Sequence, residues 1–151
     1  MYPRMVLPVP HLLQQDDADC LAACSAMVLI YIGKPIHYRR LLRTLRTQSY
    51  GTPFPNMMFL EQLNVQVTMG TGNIDQLYSY LSQQHPCIVP VDTRELPYWT
   101  QSTDHAVVVV GIDGDNVIVH DPAFNNLYIA IPIGDFDLAW LAKDERYAVL
   151  K

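Results

Sequence analysis

Three kinds of side chain in this sequence could act together in covalent and proton-transfer chemistry: a cysteine nucleophile, a histidine base and a carboxylate that orients it. The cysteines are Cys20, Cys24 and Cys87, and the histidines are His11, His37, His85, His105 and His120. Cys20 stands where a polar loop runs into an apolar stretch, QQDDADCLAACSAMVLIYIG, from Gln14 to Gly33. Leu21, Cys24, Ala26, Met27, Ile30 and Tyr31 recur near helical spacing, and Gly33 followed by Pro35 ends the run. The pattern predicts a helix over about 19–32, with Asp17 or Asp19 as its side-chain cap. Cys20 then falls in the first turn. Unpaired amides and the helix dipole at that place favour a thiolate, the form of sulfur that attacks carbonyls. Cys24 and Cys87 read as small core residues.

A thiolate of this kind needs a base, and the base needs a third group to fix its tautomer. His105 opens a valine-dominated strand and so has a rigid mount at a sheet end. His11 lies in a proline-rich arm, His37 at a helix start and His85 before a proline, while His120 should face away from its neighbour Asp121. Asp121 stands sixteen residues after His105. A two-residue turn at Asp113-Gly114 would pair His105 with Pro122 and put Asp121 on the wrong face. The pair shares a face only if the connection is odd in length or a strand carries a bulge, and either is expected here. Gln14, six residues before Cys20, could complete an oxyanion hole with the Cys20 N–H, and Gln15 is the neighbouring alternative. Tyr98 and Trp99, in a loop over Thr93–Thr103, are expected to form a substrate wall unless they merely pack on the domain edge.

Metal chemistry is not expected. Cys20, Cys24, His85 and Cys87 do not follow a strong zinc spacing. Asp113 and Asp115 open like a calcium loop, but Phe124 stands where that loop needs glutamate. The proposed thiol chemistry requires no cofactor.

The elements that must hold these residues are legible in outline. Helices are expected at His37–Thr47, Asn56–Leu63 and Ile74–Gln84, and strands at Val65–Thr68, Cys87–Val91 and His105–Ile112. Gly70 to Asn73 reads as a turn, as does Asp113–Asn116, with a returning strand Val117–Asp121. Leu127–Ile131 is a further strand, Asp135 or Asp137 caps a short helix through Ala142, and Tyr147–Leu150 closes the chain as an edge strand. Residues 1–13 read as an extended, proline-restricted arm. Helices followed by an antiparallel sheet define an α+β class, with residues 1–151 expected to form one domain.

The chain is 50% hydrophobic with a mean hydropathy of +0.06, and no stretch approaches the roughly 20 apolar residues that span a bilayer. Pro3, Pro8 and Pro10 break the apolar N-terminus, so no signal peptide is assigned and a cytoplasmic location is expected. A net charge of −5 argues against general nucleic-acid binding. Arg39, Arg40, Arg43 and Arg46 nonetheless share one expected helix, as a solvated face or as a dock for an acidic partner.

Gln14, Asp19-Cys20, Ala23-Cys24, Ala26-Met27 and Gly33 together resemble the nucleophile segment of the bacteriocin-processing cysteine peptidases. Asp104-His105 through Val110-Gly111 is similar to their histidine motif, and Val119-His120-Asp121-Pro122 to their aspartate motif. The likeness implies a papain-like fold that cuts peptides after a double-glycine leader, commonly as a domain of an ABC exporter. It also implies Cys20 as nucleophile, His105 as base, Asp121 as orienting residue and Gln14 as oxyanion donor. Leu21 departs from the family's usual glycine after the cysteine, which bears on specificity more than on chemistry. No transporter segment follows, so an exporter partner is expected to be a separate chain. Two rival readings are a thiol acyl-transfer enzyme (amidase, transpeptidase or isopeptidase) and a leader-binding domain that does not cut. Near neutral pH Cys20 should be alkylated far faster than Cys24 or Cys87. Mass-spectrometric timing of native-state labelling checks this, and equal rates would remove the activated thiolate.

Overall fold

The computed structural model describes residues 2–151. The chain runs β1 (Tyr2–Val6), α1 (Cys20–Tyr31), α2 (Tyr38–Thr44), a 3-10 helix (Phe54–Leu63), β2 (Val67–Thr71) and α3 (Ile74–Ser82). It continues through β3 (Cys87–Asp92), a short 3-10 turn (Thr93–Glu95), β4 (Asp104–Gly114), β5 (Asn116–His120), β6 (Ile129–Pro132), α4 (Ile133–Leu141) and β7 (Arg146–Leu150).

Strand β4 is the spine. Its residues from His105 to Ile112 are all buried, as a near-continuous apolar run requires when both faces of a strand are covered. The strands form one seven-stranded antiparallel sheet in the order β2-β7-β3-β4-β5-β6. Strand β1 pairs with the far half of β4, beyond the part that β3 occupies. Helix α1 packs against β4 and is buried from Leu21 to Leu29, with only Cys20 at its start and its C-terminal turn reaching solvent. A helix that is apolar on every side belongs inside a core. Packing of this kind holds Cys20, the first residue of α1, against the His105 end of β4.

The α+β class stands, and several local expectations do not. Asp19 precedes α1 but makes no side-chain cap, and its Oδ2 instead accepts the Gln15 N–H and the Tyr38 hydroxyl. Helix α2 stops at Thr44, so Arg46 lies outside it with a positive φ. Gly70 and Thr71 belong to β2 rather than a turn, with Asn73 capping α3. Neither Asp135 nor Asp137 caps α4, which begins after Pro132. Strand β7 is interior, between β2 and β3, because β2 pairs along its whole length. The start of the expected arm is itself the strand β1.

Gly111 explains how β1 can lie so close. A Cβ there would sit 2.7 Å from the Met5 carbonyl oxygen and 2.8 Å from a Val6 methyl, closer than real side chains approach. Gly111→Ala is therefore expected to lose about 1–3 kcal/mol in urea unfolding, the usual range for overpacking. Gly134→Ala, in α4 with nothing within 4 Å of its Cβ site, should be neutral or slightly stabilising in the same measurement.

Candidate active site

Register brings His105 and Asp121 together. A two-residue turn, Gly114-Asp115, joins β4 to β5, with Asp113 opposite Asn116. That turn alone would leave the two side chains on opposite faces. A bulge between Val109 and Gly111 then shifts the ladder by one, so that Val109 pairs with Val119 and Val108 with His120. Continued to the sheet end, this register sets His105 opposite Ala123 and Asp121 diagonally on the same face. The result is a hydrogen bond of 2.7 Å between His105 Nε2 and Asp121 Oδ1.

Asp121 is fully buried and takes four donors. His105 Nε2 and the Ala123 N–H (2.9 Å) reach Oδ1, while the Tyr98 hydroxyl (2.7 Å) and the Trp99 indole N–H (3.0 Å) reach Oδ2. Burial by itself would raise the Asp121 pKa, but these donors and the His105 charge hold it below the ordinary carboxylate value. Tyr98 and Trp99 thus differ from the expected substrate wall. Their polar ends are turned onto Asp121, and the Trp99 ring stands edge-on to the His105 ring with centroids 4.8 Å apart.

His105 is 7% exposed, and burial would strip its proton. Hydrogen bonding and charge from Asp121, and then from the Cys20 sulfur beside the ring, outweigh burial and hold its pKa up to about 9. With Nε2 taken by Asp121, Nδ1 is the ring nitrogen left for the cysteine. Cys20 and His105 line a common cleft of about 530 Å³, walled by Leu21, Tyr50, Phe54 and Pro90 among others. Cys24, one helical turn on, is buried with its thiol directed to the Ala106 carbonyl. Burial, chiefly, pushes its pKa well up, and burial does the same for Cys87.

Gln14 arrives by way of the N-terminal arm, which is tied to β4 and to the end of β5 at successive points. The Leu7 N–H donates to Val110 O (2.8 Å), His120 Nε2 to Val9 O (2.7 Å), His11 Nε2 bonds Asp121 O (3.0 Å), and the Gln14 N–H donates to Pro122 O (2.8 Å). The Gln14 side-chain oxygen is buried with no hydrogen-bond partner among the described residues. Leaving such an atom unpaired costs on the order of 1–3 kcal/mol. Gln15 is exposed, and its backbone N–H serves Asp19.

Two features of the site escaped the sequence reading. Asp19 is 2% exposed, and its Oδ2 accepts the Gln15 N–H (3.1 Å) and the Tyr38 hydroxyl, which staples the Gln14 loop to α2. His120 does face away from Asp121, but it is the arm's anchor. Its Nδ1 accepts the Tyr128 N–H at 3.3 Å, so Nε2 carries the proton donated to Val9. An acidic residue beside a nucleophile and a histidine beside an acid were the available signals. Arg39, Arg40, Arg43 and Arg46 are exposed, with no carboxylate in ion-pair reach among the described residues.

The geometry predicts opposite pH effects from the two buried histidines. The folded value of His105 lies above the unfolded value of 6.5, so its contribution to stability is full below about 6.5 and is lost as pH rises through about 9. Burial, chiefly, lowers the His120 pKa, so its contribution is present above 6.5 and is lost as pH falls. NMR titration should place His105 near 9 and move it down in Asp121→Asn. An unmoved value would remove the carboxylate as the cause.

Comparison with known proteins bears on the family and the fold. The family model described as the Peptidase C39 like family matches residues 6–147. Among curated relatives, the chain is 28% identical over 127 residues to the probable microcin-H47 secretion/processing ATP-binding protein MchF of Escherichia coli. It is 29% identical over 128 residues to the lactococcin-G-processing and transport ATP-binding protein LagD of Lactococcus lactis. These matches cover 83% and 84% of this chain but only 16% and 17% of the relatives, so the chain corresponds to a small part of each. A solved chain described as a C39-like peptidase from Bacillus anthracis superposes with a TM-score of 0.83 at 18% identity, covering 99% of this chain and 98% of that one. A double glycine motif protease from an AMS/PCAT transporter, solved with its leader peptide, gives 0.76 at 21% identity, covering 97% and 93%. At those identities the likeness establishes the fold, which is the papain-like one of C39-type peptidase domains. Among the described residues no helix is long and apolar enough to cross a membrane.

Proposed function

The chain belongs to the Peptidase C39 like family, and on that premise we propose that it is a cysteine peptidase acting through Cys20, His105 and Asp121. The observation that carries the reading is the buried His105–Asp121 pair with its second ring nitrogen left for the cysteine that opens α1. The Cys20 thiolate attacks the peptide carbonyl carbon, and the oxyanion is held by the Cys20 N–H and the Gln14 amide. As the C–N bond breaks, protonated His105 gives its proton to the leaving amine. A water then loses a proton to His105 and attacks the thioester, which releases the acid and restores the thiolate. Asp121 keeps the ring oriented throughout and offsets the charge it carries. No metal or cofactor enters the scheme.

The names of the relatives point to secreted peptide precursors as substrates, cut after a double-glycine-type leader. An exporter partner and a cytoplasmic setting belong to the same reading. The exposed arginines Arg39, Arg40, Arg43 and Arg46 supply a face to which an acidic surface of such a partner could dock.

Cys20→Ala and His105→Ala should abolish turnover of a leader-containing peptide with the fold intact by circular dichroism. Gln14→Ala should lower kcat by about 10²–10³, the usual effect of losing one oxyanion donor. Mass spectrometry of products with added hydroxylamine separates water from amine as the acyl acceptor. Activity surviving in Cys20→Ala would move the site elsewhere.

A further inference from the structure

The cleft that holds Cys20 also carries a cation that the peptidase mechanism does not use. Pro90 pairs with Ala106, and Ile88 with Ala148, so the antiparallel count sets Arg146 beside Pro90. Ala106, Pro90 and Arg146 therefore form a row across the sheet end, starting next to His105. All three line the cleft with Cys20. With strands about 4.8 Å apart, the Arg146 backbone lies roughly 10 Å from that of Ala106.

The Arg146 side chain is held in place. Its Nε donates to the Lys143 carbonyl at 3.2 Å, and its guanidinium lies 5.3 Å from the centre of the Phe54 ring. Phe54 also lines the cleft. The two terminal nitrogens of the fork have no hydrogen-bond or ion-pair partner among the described residues. The other charges at the cleft do not neutralise it. Lys143 is paired with Asp104, and Asp17 is an exposed residue on the wall that bears Cys20. A half-buried guanidinium stacked on an aromatic ring, with its fork free, matches a carboxylate in shape and charge.

We infer that Arg146, seated over Phe54, forms a subsite that binds an acidic side chain of the substrate within about three residues of the scissile bond. The inference rests on the catalytic reading above and adds the chemistry of the substrate to it. An extended peptide advances about 3.3 Å per residue, which converts a span of roughly 10 Å into about three positions. The room is sufficient. A cleft of about 530 Å³ holds more than a pair of glycines, and Leu21 in place of glycine already sets this cleft apart from the family pattern.

Peptidyl acyloxymethyl ketones that alkylate a reactive cysteine, with Glu or Gln placed in turn at each of the last four positions, test the subsite on the intact chain. At one position the Glu probe should label Cys20 at least tenfold faster than its Gln counterpart, and the ratio should shrink as salt rises. Arg146→Gln should bring that ratio to within about twofold of one, and Arg146→Lys should give an intermediate value because charge remains without the fork. Lys34→Gln, an exposed cation past the far end of α1, should leave the ratio unchanged. Equal labelling by Glu and Gln probes at every position overturns the subsite while leaving the nucleophile intact. Absence of labelling by every probe overturns the catalytic reading instead. In that event the subsite is decided by fluorescence anisotropy of the corresponding Glu and Gln peptides on Cys20→Ala, where equal affinities overturn it.

Discussion

A buried carboxylate constrains this fold more tightly than any other group. Asp121 has no exposed surface, and an ionised oxygen pair removed from water costs several kcal/mol unless every lone pair finds a donor. The donors come from three places: the first buried residue of β4, the loop between β3 and β4, and the backbone just past Asp121 itself. The loop that holds Tyr98 and Trp99 is thereby fixed, as is the χ angle of His105, and the sheet end becomes rigid. Phe124 completes the packing, standing edge-on to both Tyr98 and Trp99. Tyr98 and Trp99 each contribute an apolar body to this packing and a polar head to the charge, which explains why tyrosine and tryptophan occupy these places rather than phenylalanine.

The His105–Asp121 juxtaposition was legible because strand parity is arithmetic. Sixteen residues and a tight turn forbid the contact unless one strand gains a residue, and the bulge at Val109–Gly111 supplies it. What could not be read was where the extra residue would go. Gly111 settles that by serving a second neighbour, since β1 approaches too closely there for any side chain. Long-range packing of this sort leaves no periodic trace. The same holds for β7, whose apolar pattern announces a strand but does not say which strands flank it. Asp19 was misread for a related reason: an aspartate before a helix is a good local cap, but Tyr38 and Gln15 compete for it from outside the helix and win.

His120 shows how the arm and the site depend on one another. It is a buried neutral imidazole whose two nitrogens are committed in opposite senses, accepting from Tyr128 and donating to Val9. The arm that it grips continues past His11 to Gln14, with tethers falling on consecutive residues at the end of β5, His120, Asp121 and Pro122. One strand end therefore serves two functions on its two sides. Asp121 holds the His105 ring on one face, and its neighbour positions the loop that carries Gln14 from the other. Alternation along a strand makes this economical, because adjacent residues address opposite faces at no cost in backbone geometry.

Rigidity is distributed unevenly around the cleft, and the division has a functional sense. Cys20, His105 and Asp121 are mounted on a helix start and a strand end, whose backbone hydrogen bonds and buried neighbours fix them. Another part of the cleft is lined by Tyr50 and Gly51, in a loop held by a bridge between Gln48 and Gly51 and a hydroxyl contact between Thr47 and Thr52, and Tyr50 is 80% exposed. Such segments tolerate substitution far better than the spine does. A chain built this way can keep the geometry of Cys20, His105 and Asp121 constant while the exposed part of the wall, Tyr50 above all, varies. The site residues are thus fixed by the energetics of a buried charge. Selectivity is left to side chains whose replacement leaves that charge untouched.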